Sequence, residues 1–498
     1  MISLRPYQSS AVAEIREALA KYKRIIAQLP TGAGKGIILG AIADMCVKKG
    51  SKTLIVAHRL EIVEQDAKQY GKFGNEADII TPKQRRVPRN YVCVAMAQTL
   101  QRRKDKEEWA EFLRGIKMLI IDEAHTSEFN FLFDCISPDC YVCGFTATPV
   151  RYGNMRQLGL DYNAIVTGPS VKELITMGHL CPCKLFSLDA PKMDDVEWDY
   201  GRGDYALGQM AAKFQDRAHY IGAVENYKRI CNGRKAIVFC CSSEQTIEIT
   251  KAFNEAGIYA NYVLSGVFDD DEYYSGERRV VLDAFRNNEF KVLVNLGIGT
   301  TGLDVPDIEA VLLMFSTTSV TKYLQCLGRA SRPAPLKKDF YCLDFGSNYE
   351  RLGRYEQDRE WSVWHSTRAG GGVPPVKECP QCHKLIPVQM QDCPFCSYHF
   401  PTQTETYIAE LHEIADNAEE ESLESMVARK KLQGWKNDWI LRDICQKNPN
   451  NPKEAFMKAI EILRTVHGDS ISPQYWHFFS QHKLGKVKKE KDTTPKLF

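Results

Sequence analysis

Charge of one sign is what this chain lacks: 65 Lys and Arg stand against 63 Asp and Glu in 498 residues, a formal net charge of +2. No global basic field announces a polyanionic partner, so any such partner has to be held by local clusters. Long apolar runs are missing too, since nothing approaches the roughly 18 residues that a bilayer span needs. The start, Met1-Ile2-Ser3-Leu4-Arg5-Pro6-Tyr7-Gln8, carries no apolar leader, and neither a secretory signal nor a membrane partner is expected. The 44% hydrophobic and 26% charged content, with 33 Gly and 22 Pro, excludes disordered and collagen-like chains. Cysteine is abundant instead, but the 17 residues are odd in number and mostly sit singly in apolar runs such as those at Cys93, Cys240 and Cys342. That usage reads as small hydrophobes in a reducing, cytoplasmic setting rather than as a disulfide framework.

At about 100 to 200 residues per domain, the length allows three to four domains. From residue 1 to about 165, short β-branched runs such as Thr53-Leu54-Ile55-Val56-Ala57 and Met118-Leu119-Ile120-Ile121 alternate with helical patterns. Runs of that length and spacing predict a buried parallel sheet with crossover helices. The pattern restarts at about 229 with Ala236-Ile237-Val238-Phe239 and continues to about 365, which makes a second α/β domain. Residues 166–228 read as a bridge or insert and 366–376, with Gly370-Gly371-Gly372-Val373-Pro374-Pro375, as a linker. A cysteine cluster occupies 377–402, and 403–498 holds an acidic segment, a helical region and a lysine-rich tail.

Leu29-Pro30-Thr31-Gly32-Ala33-Gly34-Lys35-Gly36 follows a predicted strand and opens an apolar helix. Small residues there let backbone N–H groups wrap phosphate oxygens at a helix N-terminus, and Lys35 reaches the β- and γ-phosphates of ATP. Ser or Thr is expected directly after the lysine, as a hydroxyl ligand for Mg²⁺, and Gly36 supplies none. The metal would then rely on Asp122, the phosphates and water, predicting weakened Mg²⁺ affinity. Asp122-Glu123-Ala124-His125 follows Met118–Ile121, at the carboxyl end of a predicted strand and about 90 residues beyond the loop. One carboxylate there can hold Mg²⁺ through water, and its neighbour can orient the attacking water.

These segments, together with Thr146-Ala147-Thr148-Pro149 and Gln325-Cys326-Leu327-Gly328-Arg329-Ala330-Ser331-Arg332, stand in the order seen in superfamily 2 DEAD/DEAH-box helicases. The resemblance covers residues 1 to about 350. It implies two RecA-like domains, with ATP in the cleft and nucleic acid across both. By that resemblance Arg5, Tyr7 and Gln8 recognise adenine. His58 and Arg59, with Gln98 and Thr99, contact a nucleic-acid strand, and Thr146 and Thr148 couple the two sites. Thr300, Thr301, Gly302 and Asp304 match the next motif, and Arg329 and Arg332 reach the γ-phosphate from the second domain, preceded by Gln325. An arginine delivered in trans to the charge of phosphoryl transfer makes hydrolysis depend on a closed cleft. In detail the chain resembles RadD-type DNA repair helicases of bacteria and phages, departing at Gly36 and at His125, where that group often carries Cys-His after the acidic pair.

Cys379-x-x-Cys382 and Cys393-x-x-Cys396 are two knuckles ten residues apart. Four thiolates at that spacing close a tetrahedral Zn²⁺ site, and a ribbon with so little core needs the metal to fold. Cys140-x-x-Cys143 and Cys181-x-Cys183 read as packing residues. Lys83, Arg85, Arg86 and Arg89, with Arg102, Arg103, Lys104 and Lys106, form a candidate phosphate track or a solvated face. Residues 405–424 hold eight acidic residues and no Lys or Arg, which suits a linker helix or a protein-partner face. Trp435 and Trp439 read as core of a small helical domain. Three functions stay open: an ATP-dependent DNA helicase or translocase on single-stranded or branched DNA, an RNA helicase, and a nucleotide-gated scaffold that hydrolyses poorly because of Gly36.

Overall fold

The β-branched runs assemble into two parallel sheets. The computed structural model describes residues 3–152, 156–187 and 305–364 without interruption, most of 196–297, and only short pieces beyond 364. The first sheet is built from β1 (Arg24–Gln28), β2 (Thr53–Ala57), β3 (Asp78–Ile80), β4 (Val92–Met96), β5 (Met118–Asp122), β6 (Tyr141–Thr146) and β7 (Ala164–Thr167). Their order is β3-β4-β2-β5-β6-β1-β7, and every pairing is parallel. Helices cover both faces of such a sheet, so its central strands are buried along most of their length. β2 is buried at all five positions. The helices that matter for the site are α1 (Pro6–Tyr22), α2 (Lys35–Val47) and α3 (Leu60–Gly71).

The second sheet runs β12-β13-β11-β14-β15-β8-β18, from β8 (Cys183–Ser187), β11 (Ala236–Phe239), β12 (Ala260–Leu264), β13 (Val292–Leu296), β14 (Ala310–Leu313), β15 (Phe340–Asp344) and β18 (His412–Glu413). All pairings are parallel except that of β18 with β8. β9 (Trp198–Asp199) and β10 (Asp204–Tyr205) form a separate two-stranded ribbon. β8 lies within the segment expected to be a bridge. It is an internal strand instead, because Phe340–Asp344 offers it a complete parallel edge. The sheets belong to one compact unit, residues 1–369 with 404–414. Within it, Gly159 N–H donates to Val363 O at 2.7 Å, so the end of the second domain returns to the first. Cys140, Cys143, Cys181 and Cys183 are buried, and burial pushes the Cys140 thiol up to about 12, as suits packing residues.

The second unit, residues 370–403 and 415–498, has its own core, in which Ile440, Leu441 and Ile444 join Phe456, Ile460 and Leu463 of the helix Pro452–Thr465. β16 (Val376–Glu378) pairs antiparallel with β17 (Leu385–Pro387). Cys379, Cys382 and Cys393 lie outside the described residues, as do Trp435, Trp439, the lysine tail and all of the acidic segment except β18. Among the described residues no cluster of three or more His, Cys, Asp or Glu could hold a metal, and no helix is long and apolar enough to cross a membrane.

Candidate active site

The loop between β1 and α2 turns on two glycines in the left-handed region, Gly32 at φ +89° and Gly34 at φ +76°. A side chain at either would be strained there. It would also collide: a Cβ on Gly34 would lie 2.7 Å from Gln8 Nε2, and one on Gly32 would lie 2.8 Å from Leu180 Cδ2. The loop is thus a cradle of exposed backbone rather than of side chains, which suits phosphate oxygens. α1 fixes its outer wall. Tyr7 Oη donates to Ala33 O at 2.8 Å, Gln8 Oε1 accepts from Arg5 N–H at 3.0 Å, and the Tyr7 ring meets His179 at 5.1 Å. Arg5, Tyr7 and Gln8 therefore gather at the phosphate loop.

Lys35 Nζ donates to Glu123 Oε1 at 2.9 Å, and both side chains are nearly closed to solvent. Burial works against the charge on each. Glu123 and Asp122 outweigh it for the lysine, whose pKa is raised; Lys35 and His125 outweigh it for Glu123, whose carboxyl is held down at about 2. Burial pushes Asp122 the other way, up to about 6, with Lys35 opposing and Glu123 adding to the rise. Glu123 sits at φ +53°, a costly conformation for a residue with a Cβ, and its N–H donates to Asp122 Oδ1 at 2.9 Å. Its second oxygen, Oε2, is buried and has no hydrogen-bond partner among the described residues, lying 3.4 Å from His125 Nδ1. Two carboxylates, an ammonium and a backbone cradle converge here. The donor set fits Mg²⁺-ATP, the cofactor pair that helicases use, which supplies the phosphoryl group and the cation that screens it.

His125 Nδ1 is 2.9 Å from Thr146 Oγ1, which donates to Thr148 O at 3.2 Å and accepts from Thr148 N–H at 3.1 Å. Burial lowers the His125 pKa, with Glu123 opposing that fall and Lys35 and Arg151 adding to it. Arg151 is a residue that motif reading overlooks. Its guanidinium, almost wholly buried, pairs with Asp161 at 2.9 Å and donates to the carbonyls of Ala124, His125 and Thr126. It clamps the backbone that follows the acidic pair. The only sequence signal is its position, two residues beyond Pro149.

The second domain meets this site through the end of the helix Val320–Leu327, which carries the buried Gln325. Gly328 packs so closely on the loop that a Cβ there would lie 2.4 Å from Thr31 Cγ2, and one on Gly32 would lie 3.6 Å from Arg332 Cγ. Arg329 is buried within electrostatic reach of Glu123 and Lys35, and burial lowers the Arg332 pKa to about 10. Lys337 Nζ donates to Arg332 O at 2.8 Å and braces that segment. Thr300, Thr301, Gly302 and Asp304 lie outside the described residues.

The expected strand-contacting residues are less open. Thr99 is buried, and His58 Nδ1, Gln98 Oε1 and Thr99 Oγ1 are buried without hydrogen-bond partners among the described residues. Arg59 reaches the second domain, donating to Gly297 O at 3.5 Å. Of the basic clusters, Lys83, Arg85, Arg86, Arg89, Arg102 and Lys106 are exposed. Arg103 is not part of that face. It donates to the carbonyls of Thr81 and Pro82, lies 4.9 Å over the Trp109 ring, and so ties the two basic segments together.

Two family profiles match the chain: "Type III restriction enzyme, res subunit" over residues 1–151 and "Helicase conserved C-terminal domain" over 222–334. A Lactococcus phage protein described as "51.5 kDa protein" is 26% identical over 436 residues, 85% of this chain and 90% of that one. The "DNA 3'-5' translocase XPB2" of Sulfurisphaera tokodaii is 25% identical over 378 residues, 68% of this chain and 80% of that one. Among solved structures, a fragment of a putative HsdR subunit of a type I restriction enzyme from Vibrio vulnificus has the same fold, with TM-score 0.55 at 22% identity over 70% of this chain and 65% of that one. Other curated relatives are longer, and the chain spans 51% of one from yeast. With both profiles in helicase order on two RecA-like sheets, and the phosphate loop facing the arginine segment, the chain belongs to the superfamily 2 helicases.

Proposed function

We propose that the protein is a nucleic-acid-stimulated ATPase that moves along or separates DNA. The observation that carries this is the position of Arg329, delivered from the second domain to within electrostatic reach of the Lys35–Glu123 pair of the first. Hydrolysis then requires both domains, and whatever closes the cleft controls the chemistry. Lys35 and Glu123 hold one another while no phosphate competes for the ammonium. When Lys35 turns to the phosphates, Glu123 loses the main partner that keeps its carboxyl at about 2, and becomes more basic as it accepts a hydrogen bond from the attacking water. Asp122 holds the cation, Pro30 to Gly34 wrap the phosphates, and Gln325 with Arg329 and Arg332 stabilises the transferring group. His125, Thr146 and Thr148 carry the state of the site toward the nucleic acid.

DNA is the favoured track because a relative is named as a DNA translocase, and the exposed basic face tied together by Arg103 offers a surface for its backbone. Such a face grips phosphates without reading bases. Cys379, Cys382, Cys393 and Cys396 hold Zn²⁺ in this reading, forming a ribbon like that of RadD-type helicases, in a protein of the bacterial or phage-infected cytoplasm. The acidic segment before the helical end offers a face for a protein partner. ATPase rates with single-stranded, forked and duplex DNA and with RNA decide between the readings. Stimulation by DNA supports this one, stimulation by RNA alone makes the protein an RNA helicase, and no stimulation by any of them leaves the nucleotide-gated scaffold. Metal analysis of the purified chain tests the ribbon, with one zinc per chain expected.

A further inference from the structure

α2 presents Gly36 and Gly40 four residues apart on one face, and α3 lies directly against them. A Cβ on Gly40 would meet Phe73 Cε2 at 2.8 Å and Tyr70 Cα at 3.5 Å. One on Gly36 would meet Gln69 Cγ at 3.0 Å and Cδ at 3.8 Å. The volume that a hydroxyl-bearing side chain would occupy after Lys35 is therefore filled by Gln69, and the missing ligand and the close helix approach have the same cause. What α3 brings is polar. Gln69 Oε1 is buried with no hydrogen-bond partner among the described residues, and one turn earlier Asp66 is 2% exposed, with Oδ2 likewise unpartnered. A buried carboxylate oxygen without a donor is costly and uncommon in a finished core. Burial raises the Asp66 pKa well above its ordinary value, with Asp122 and Glu123 adding to the rise and Lys35 opposing it, so Asp66 feels the charges of the nucleotide site and a cation there would favour its ionised, accepting form.

We propose that Asp66 and Gln69 of α3 take over the role left vacant at residue 36, accepting hydrogen bonds from the water shell of the divalent cation that accompanies the nucleotide. Mg²⁺ sheds its waters reluctantly and is commonly held through them, so outer-sphere acceptors can replace an inner-sphere hydroxyl. This rests on the ATP-binding reading above, and it reverses the expectation that Gly36 simply weakens the metal. Thr at 36 would press on Gln69, whose Cγ lies 3.0 Å from a Cβ placed there.

The test titrates Mn²⁺ into the full chain with a non-hydrolysable ATP analogue bound, following free Mn²⁺ by electron paramagnetic resonance. Analogue affinity is measured first in EDTA. Asp66→Asn keeps the volume and is expected to weaken Mn²⁺ by about 10- to 100-fold beyond any change in analogue affinity measured without metal, the usual cost of losing an outer-shell partner. Gln69→Leu leaves the carboxylate untouched and shifts the affinity the same way. Gly36→Thr combined with Gln69→Ala restores it in the Asp66→Asn background. Parental Mn²⁺ affinity in both single variants overturns the proposal. Failure of the unmutated chain to bind the analogue both in EDTA and with Mn²⁺ present overturns instead the nucleotide reading beneath it.

Discussion

Gly328→Ala isolates the contact on which the domains' cooperation depends. The backbone at 328 is right-handed helical, φ −60° and ψ −15°, so alanine is tolerated locally and the substitution acts only through its methyl group. That methyl would lie 2.4 Å from Thr31 Cγ2 and 2.5 Å from Thr31 Cβ, against an ordinary carbon contact of about 3.5 to 4.0 Å. The phosphate loop and the arginine-bearing segment must therefore separate by about 1 Å or more. Overpacking of this kind costs about 1 to 3 kcal/mol, here charged to the closed arrangement. At about 1.4 kcal/mol per decade, the closed population falls by roughly 5- to 150-fold. Steady-state ATPase measurements with saturating single-stranded DNA should show that loss in kcat. Binding of a fluorescent ATP analogue, which needs mainly the first domain, should stay within about twofold of the parent by the same reasoning. An unchanged kcat would refute the claim that this packing brings Arg329 and Arg332 to the phosphates.

Three further outcomes follow from named contacts. Asp161→Ala strips Arg151 of its carboxylate in a site where both side chains are 2% exposed or less, and should cost about 3 to 5 kcal/mol in denaturant titration. An Arg85→Ala, Arg86→Ala double variant should flatten the log–log salt dependence of single-stranded DNA binding by about 1.4, from two contacts at roughly 0.7 each, and leave DNA-independent ATP binding alone. Asp344 is buried and accepts from Asn348 Nδ2 at 2.8 Å and Tyr349 N–H at 2.9 Å, yet burial still raises its pKa. Its contribution is then full below the ordinary carboxylate value and lost as pH rises through the raised one. Melting curves of Asp344→Asn should lack that slope.

The parts of the site that sequence displays are those made by consecutive residues. The phosphate loop, Asp122-Glu123 and the Gln325–Arg332 segment each draw their chemistry from a short stretch at the end of a strand or helix, so the local pattern carries the placement. Contacts made by packing are invisible in the same letters. Asp66 and Gln69 matter only because two glycines on α2 let α3 come close. Arg151 looks like any arginine until Asp161 and four carbonyls surround it. Cys183–Ser187 hides as a strand because its partner, Phe340–Asp344, lies more than 150 residues away. Arg103 looked like one more surface cation, and its geometry makes it a tie between two loops instead. The net charge of +2 conceals that exposed basic face, because acidic segments elsewhere cancel it.

ATP hydrolysis by the full-length Glu123→Gln variant, set beside its nucleotide binding, tests the central claim most directly. The substitution keeps shape and removes the charge that pairs with Lys35 at 2.9 Å. The account predicts DNA-stimulated hydrolysis in the parent and a fall of at least about 10²-fold in the variant, the usual range for losing a positioned base, with ATP-analogue affinity retained. Parental hydrolysis rates in the variant, or a parent indifferent to every nucleic acid, would contradict it.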